Sequence, residues 1–359
     1  MTAEMLPAET VRDEAGQVLL YSWHDFVETI CQGNCCFVCG ASPREKKFND
    51  EHIVPNWVLH RFDLHSKNLT LPNGNEHKYG TYTVPCCVEC NTTMAETFET
   101  PMSRLFDAGA GAIQDFVAEK GPLIPFTWMA LIFLKMHLKD GRMRRHLDRR
   151  KGDELISEDY VWEHMHHLHA VARAFTVKAE VEAKAFGSMF VFPIRGDGTT
   201  DAFDLATFTE AQTLYIRLGS TGIVAVFDDA CAAIHGIYPL LEKLDGPLSW
   251  TQAREVAARM ALANLDLENR PSFWTHISSD KEKVIIGGTT DTAPRFRKLN
   301  AELYGQTMAG VFRDLPPVDG YTPEQAMSAL QAGSITFLFD DHGNFIHDHA
   351  PKPPVGVKA

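Results

Sequence analysis

The sequence lacks an excess of positive charge, has no long apolar run, and carries almost no cysteine outside one short region. Its 359 residues hold 47 Asp and Glu against 34 Lys and Arg, a net charge of −13. Such a balance gives no general attraction to phosphate backbones. Residues 1–100 alone carry 14 acids and 7 bases, so the part that bears the motifs is acidic as well. The most apolar run, Trp128 to Leu134, is far shorter than the roughly 20 residues a membrane-spanning helix needs. The start, Met1-Thr2-Ala3-Glu4, shows no basic segment followed by an apolar one. No signal peptide and no membrane partner are therefore expected, and a cytoplasmic location is. There is no internal repeat, low-complexity segment or long linker, and Gly287-Gly288 matches no nucleotide-binding fingerprint. With 45% hydrophobic and 23% charged residues, the composition is that of a globular protein with a buried core.

Seven of the eight cysteines fall between Cys31 and Cys90. In a reducing compartment this clustering points to metal ligation before disulfides. Cys36-Phe37-Val38-Cys39 and Cys87-Val88-Glu89-Cys90 each place two sulfurs on one tight turn, the spacing that a tetrahedral structural zinc site uses. The predicted Zn²⁺ ligands are Cys36, Cys39, Cys87 and Cys90. Cys35 and Cys86, beside them, and the distant Cys231 are read as buried small residues.

The two knuckles bracket Asp50-Glu51-His52-Ile53-Val54-Pro55. An imidazole titrating near pH 6.5 can take a proton from water, so His52 is the candidate general base. Asp50 and Glu51 supply hard oxygens suited to Mg²⁺ or Mn²⁺. On a strand, residues 50 and 52 share a face and 51 points away, so one strand cannot aim both Glu51 and His52 at one phosphate without a bend.

The pattern Cys-x-x-Cys, Glu-His-Ile-x-Pro, Cys-x-x-Cys-Asn resembles the HNH endonucleases of the zinc-bound ββα-metal type, over about residues 30–105. The resemblance implies a metal-dependent hydrolase of phosphodiester bonds in nucleic acid, DNA first. It implies that His52 activates water and that Glu51 stands where the family commonly has an aspartate on the catalytic metal. Asn91 stands at the helix position of the last metal ligand, often a histidine. Asp50 is a substitute ligand or lies behind the metal. Asn73 or Asn75 would orient the base.

The expected fold class is α+β: a zinc-stapled ββα-metal (HNH) module over residues 1–105, then a larger mixed α+β domain over 106–359. Ser22 is expected to cap a helix from Trp23 to Cys31, and Lys78 to Val84 to form a strand. Phe126 to Arg150 reads as one helix, apolar in its first half and basic in its second. Lys135 to Lys151 holds eight Lys and Arg, the one basic stretch and a candidate contact for nucleic-acid phosphates. His164, His166, His167 and His169 read as exposed helix histidines. Strands are expected at 188–193, 213–218 and 223–227, and helices at 229–243, 250–266, 292–308 and 323–332. A last hairpin is expected over 335–347, turning at 341–343, and a disordered tail over 351–359.

Two other functions fit the same chain. It can be a zinc module that binds nucleic acid or protein without catalysis. It can instead work through its C-terminal domain as a ligand sensor or homo-oligomer. A nuclease joined to such a domain suggests a regulated effector, for instance in bacterial defence against phage.

Overall fold

The structure, a computed structural model, describes residues 7–160, 162–196, 202–290, 292–312, 321–340 and 342–347. The expected tail over 351–359 and part of the turn at 341–343 lie outside these residues. The fold is mixed α and β. It separates into two compact units: residues 1–108, 112–187 and 271–291, and residues 109–111, 188–270 and 292–359. The first unit thus extends past 105 and takes in a hairpin from late in the chain.

In the first unit Ser22 accepts a hydrogen bond from the Asp25 amide and opens a helix at Trp23, which continues as π-helical turns over Phe26–Cys31. Strand β1, Phe48–His52, runs antiparallel to β2, Thr83–Cys87, with Phe48 opposite Cys87 and His52 opposite Thr83. The chain leaves β2 directly into helix α1, Val88–Met94, with Cys87 at its cap. Pro55 ends the β1 segment and precedes a short helix, Asn56–Arg61, as its fixed φ and missing N–H favour. A small hairpin follows, Asn68–Thr70 with Glu76–Lys78, its turn carrying Gly74 at φ 81°. The strand expected over 78–84 begins later. Tyr79–Thr81 is a 3₁₀ turn, in which Gly80 sits so close to His65 that a Cβ there would lie 2.8 Å from the His65 carbonyl oxygen.

Helix α2 spans Leu123–Asp140 and is buried along almost its whole length. It stops ten residues short of the expected Arg150. From Arg142 onward the backbone pairs with a later segment instead: Arg145 N donates to Glu154 O at 2.8 Å, and Ile156 N to Met143 O at 2.9 Å. The basic stretch is therefore not one helix face. Helix α3, Trp162–Ala172, follows. Glu180–Val181 pairs parallel to Val284–Thr289, which pairs antiparallel to Ser272–Ile277. Among the described residues no single helix is long and apolar enough to cross a membrane.

The second unit is built on a four-stranded antiparallel sheet of β3 (Met189–Pro193), β4 (Phe203–Phe208), β5 (Thr213–Leu218) and β6 (Thr221–Val226), in the order β3-β6-β5-β4. β4 was not expected from the sequence. Helices α4 (Ala232–Leu241) and α5 (Trp250–Asp266) pack with the sheet around Tyr215, Val224, Val226, Val256 and Met260. Alanines 253, 257, 258 and 261 keep α5 slim enough to be buried on several sides. Ser249 and Gln252 close a capping box at its start. Another face of α5 meets α6 (Ala301–Val311) and α7 (Pro323–Gln331) through Leu262, Tyr304, Met308, Phe312 and Leu330. The helix expected over 292–308 thus starts only at 301, where the Asn300 side chain caps it. Of the terminal hairpin, the described residues keep one bridge, Phe339 with Phe345.

Candidate functional site

The sulfurs of Cys36, Cys39, Cys87 and Cys90 all lie within 4.8 Å of one another, and this set can hold a metal ion such as zinc. The fit is geometric. Four sulfurs about 2.3 Å from a central zinc stand about 3.8 Å apart along each tetrahedral edge. Cys39 Sγ and Cys87 Sγ are 3.8 Å apart. The topology produces this meeting: β1–β2 pairing sets Phe48 opposite Cys87, which brings the second knuckle to the chain that has just left the first. Cys35 points elsewhere and donates its thiol to Thr29 O, and burial pushes its pKa up to about 12. Cys86 lies 3.7 Å from Cys36, and that contact, with burial, raises its pKa far above the ordinary thiol value. Both are buried and stand outside the four-sulfur set. Cys231 is half-buried at φ 66°.

The acid–histidine stretch lies on β1, so its side chains alternate. Asp50 is exposed, Glu51 is buried and His52 is half-buried. Glu51 is taken up by a partner that the sequence reading did not assign to it. Lys135, on α2, donates to Glu51 Oε1 at 2.7 Å and to the His52 carbonyl oxygen at 2.7 Å. The two side chains are 3% and 9% exposed, a buried ion pair. Such a pair repays its desolvation only when further hydrogen bonds complete it, and the second bond, to His52, does so here. Glu99 lies in the same electrostatic neighbourhood. Burial pushes its pKa up to about 7, opposed by Lys135 and reinforced by Glu51. A sign of this cluster was present in the sequence, since Lys135 is the one charge within the apolar run from Phe126 to Met136.

The His52 ring is flanked by a second histidine that the sequence reading also passed over. His65 stands edge-on to it at a centroid distance of 6.0 Å, and His60 stands edge-on to His65 at 4.6 Å. The His65 Nε2 is buried without a hydrogen-bond partner. Asn91 sits half-buried on α1, one residue after Cys90. Asn73 and Asn75, the two candidates to orient the base, are used by the turn. Asn73 donates to Arg144 O and accepts from the Asn75 amide, and Asn75 accepts from the Glu76 amide.

The basic stretch is largely engaged within the protein. Lys135 is buried against Glu51. Arg142 donates to Gly33 O, while Arg144, Arg145 and Arg150 pair with Asp153, Asp159 and Asp148. The histidines of α3 correct their expectation more sharply. His166, His167 and His169 are buried, and their Nε2 atoms bond the carbonyls of Tyr21, Ala185 and Phe37 at 2.8, 3.0 and 2.8 Å. Periodicity could not reveal this, because the partners are backbone oxygens up to 145 residues away.

Comparison with protein families, with curated proteins and with solved structures returned no match.

Proposed function

We propose that this chain is a metal-dependent endonuclease of the HNH type, acting on DNA. The observation that carries the reading is the succession of antiparallel β1 and β2 leading straight into α1, with the four thiols gathered at its base and His52 at the end of β1. In this mechanism His52 takes the proton of a water aimed at phosphorus. Asn91 and Glu51, with Asp50 as substitute, would hold a Mg²⁺ or Mn²⁺ ion, which would supply stabilisation of the leaving oxygen and the added negative charge. Glu51 can serve the ion only if Lys135 gives way. Zinc is structural and takes no part in the chemistry.

Purified protein with plasmid DNA tests this in the presence of Mg²⁺, Mn²⁺ or EDTA. Nicking that needs the divalent ion, and that His52→Ala lowers by at least about 100-fold while the protein keeps its fold and zinc, is the expected result. Equal nicking by wild type and His52→Ala defeats the assignment.

The pairing of Glu51 with Lys135 favours a second reading, a zinc module that binds nucleic acid without cutting it. In that case plasmid binding persists in EDTA and no nicking appears with either metal.

A further inference from the structure

The first cysteine knuckle is held from outside by side chains distant in sequence. Its three consecutive carbonyls each accept one hydrogen bond: Phe37 O from His169 Nε2 at 2.8 Å, Val38 O from Arg173 Nε at 3.0 Å, and Cys39 O from Tyr21 Oη at 2.9 Å. His169 lies on α3, and Arg173 directly follows that helix. Arg173 is 3% exposed. It also donates to Leu19 O at 3.1 Å and Val18 O at 2.6 Å, and it lies 5.3 Å from the centre of the Tyr21 ring. Gly40 closes the knuckle at φ 73°, and a Cβ there would collide with the Tyr21 hydroxyl. The chain therefore keeps this position without a side chain so that Tyr21 can reach Cys39.

A zinc ion bound by four thiolates carries a formal charge of −2, and buried charge needs a compensating partner. Among the described residues Arg173 is a buried cation bonded directly to the knuckle that presents Cys36 and Cys39. Neutral donors complete the hold: burial keeps His169 far below the ordinary histidine range, so it donates as an uncharged imidazole. We propose that Arg173, His169 and Tyr21 are positioning residues of the metal centre, with Arg173 as its counter-charge. The zinc site is then a property of residues 18–173 and not of the cysteine segment alone. This rests on the reading of the four thiols as a zinc site.

The test is zinc affinity of the full chain, measured by chelator competition, with the thiolate charge-transfer band of the cobalt-substituted protein as a second readout. His167→Gln serves as a packing control, because His167 sits on the same helix and contacts Ala185 O and the Phe273 ring instead of the knuckle. Arg173→Met is expected to weaken zinc binding by about 10–100-fold, the range found for residues that support metal ligands from behind. Arg173→Lys should recover part of the loss and restore the cobalt band toward wild type. His167→Gln should lower Tm without changing zinc affinity. Wild-type affinity in Arg173→Met, or a loss no larger than in the control, overturns the proposal. Should Arg173→Met fail to fold, Tyr21→Phe replaces it, since it removes a single hydroxyl; weakened zinc binding supports the proposal and unchanged binding overturns it. A wild-type chain that takes up no zinc overturns the metal reading itself, and this proposal with it.

Discussion

The two units use buried charge differently. In the first, Lys135 and Arg173 are buried cations that donate to backbone carbonyls, those of His52, Val38, Leu19 and Val18. In the second, Asp229 and Glu255 are buried anions that accept from backbone amides. Asp229 receives Ser188 N and Ala233 N, and so ties the start of β3 to the start of α4. Glu255 receives Phe337 N, Thr336 Oγ1, Tyr304 Oη and Arg259, and so ties α5 to α6 and the segment after α7. The difference follows from what each unit contains. One concentrates four potential thiolates and three acids, Glu51, Glu99 and Asp140, so its interior favours positive charge. The other buries Asp228, Asp229, Glu255 and Asp266 but has no thiol cluster among its described residues, and a carboxylate there serves as a fixed acceptor for loose helix and strand ends.

Metal removal should separate the two units most widely. Cys87→Ser, or chelation of the wild type, is expected to unfold the first unit, because metal binding to a structural site of this kind contributes on the order of 10 kcal/mol. The second unit should keep its own cooperative transition. Calorimetry of the chelated protein checks this, and a single transition lost as a whole would erase the distinction. Glu255→Ala addresses the other side. It strips Arg259 and three other donors of their acceptor and should cost about 3–5 kcal/mol, all of it in the second unit, with zinc content unchanged by elemental analysis.

The smallest effect concerns pH. Glu99 has a folded pKa of about 7 against an ordinary value of 4.5. The folded state therefore holds this proton more tightly than the unfolded one. The favourable contribution of the protonated group is complete below about 4.5 and is lost as pH rises toward about 7. Glu99→Gln should flatten that decline, making the variant more stable than wild type at pH 8 by on the order of 1–2 kcal/mol and close to it at pH 4.5. Urea titrations at the two pH values decide it, and an equal response of both proteins would show that Glu99 is not the group responsible.

Local pattern carried much of this fold. The helix at 250–266 was legible to its end residues, because Ser249 and Gln252 mark its start and apolar positions three and four residues apart do the rest. β5 was legible as a short β-branched and aromatic run. β4, Phe203–Phe208, was not, because Asp204, Ala206 and Thr207 break the apolar signal and only its pairing with β5 defines it. The α2 boundary was missed because Arg142–Lys151 has helical composition, and the backbone bonds to 154–156 that overrule it are made between segments. Within the site, cysteine spacing identified the four sulfurs that come together, and strand alternation separated Glu51 from Asp50 and His52.

By itself, then, the sequence determined which thiols form the cluster and which face of β1 each residue of the acid–histidine stretch occupies. Both are set by covalent spacing: two residues between cysteines on a turn, and a period of two on a strand. Tertiary structure alone decided that Lys135 neutralises Glu51, that His65 stands beside His52, and that α3 supplies the donors behind the Cys36–Cys39 knuckle. These depend on long-range packing, where a buried polar group takes whichever partner the fold brings within reach, and no local period records that choice.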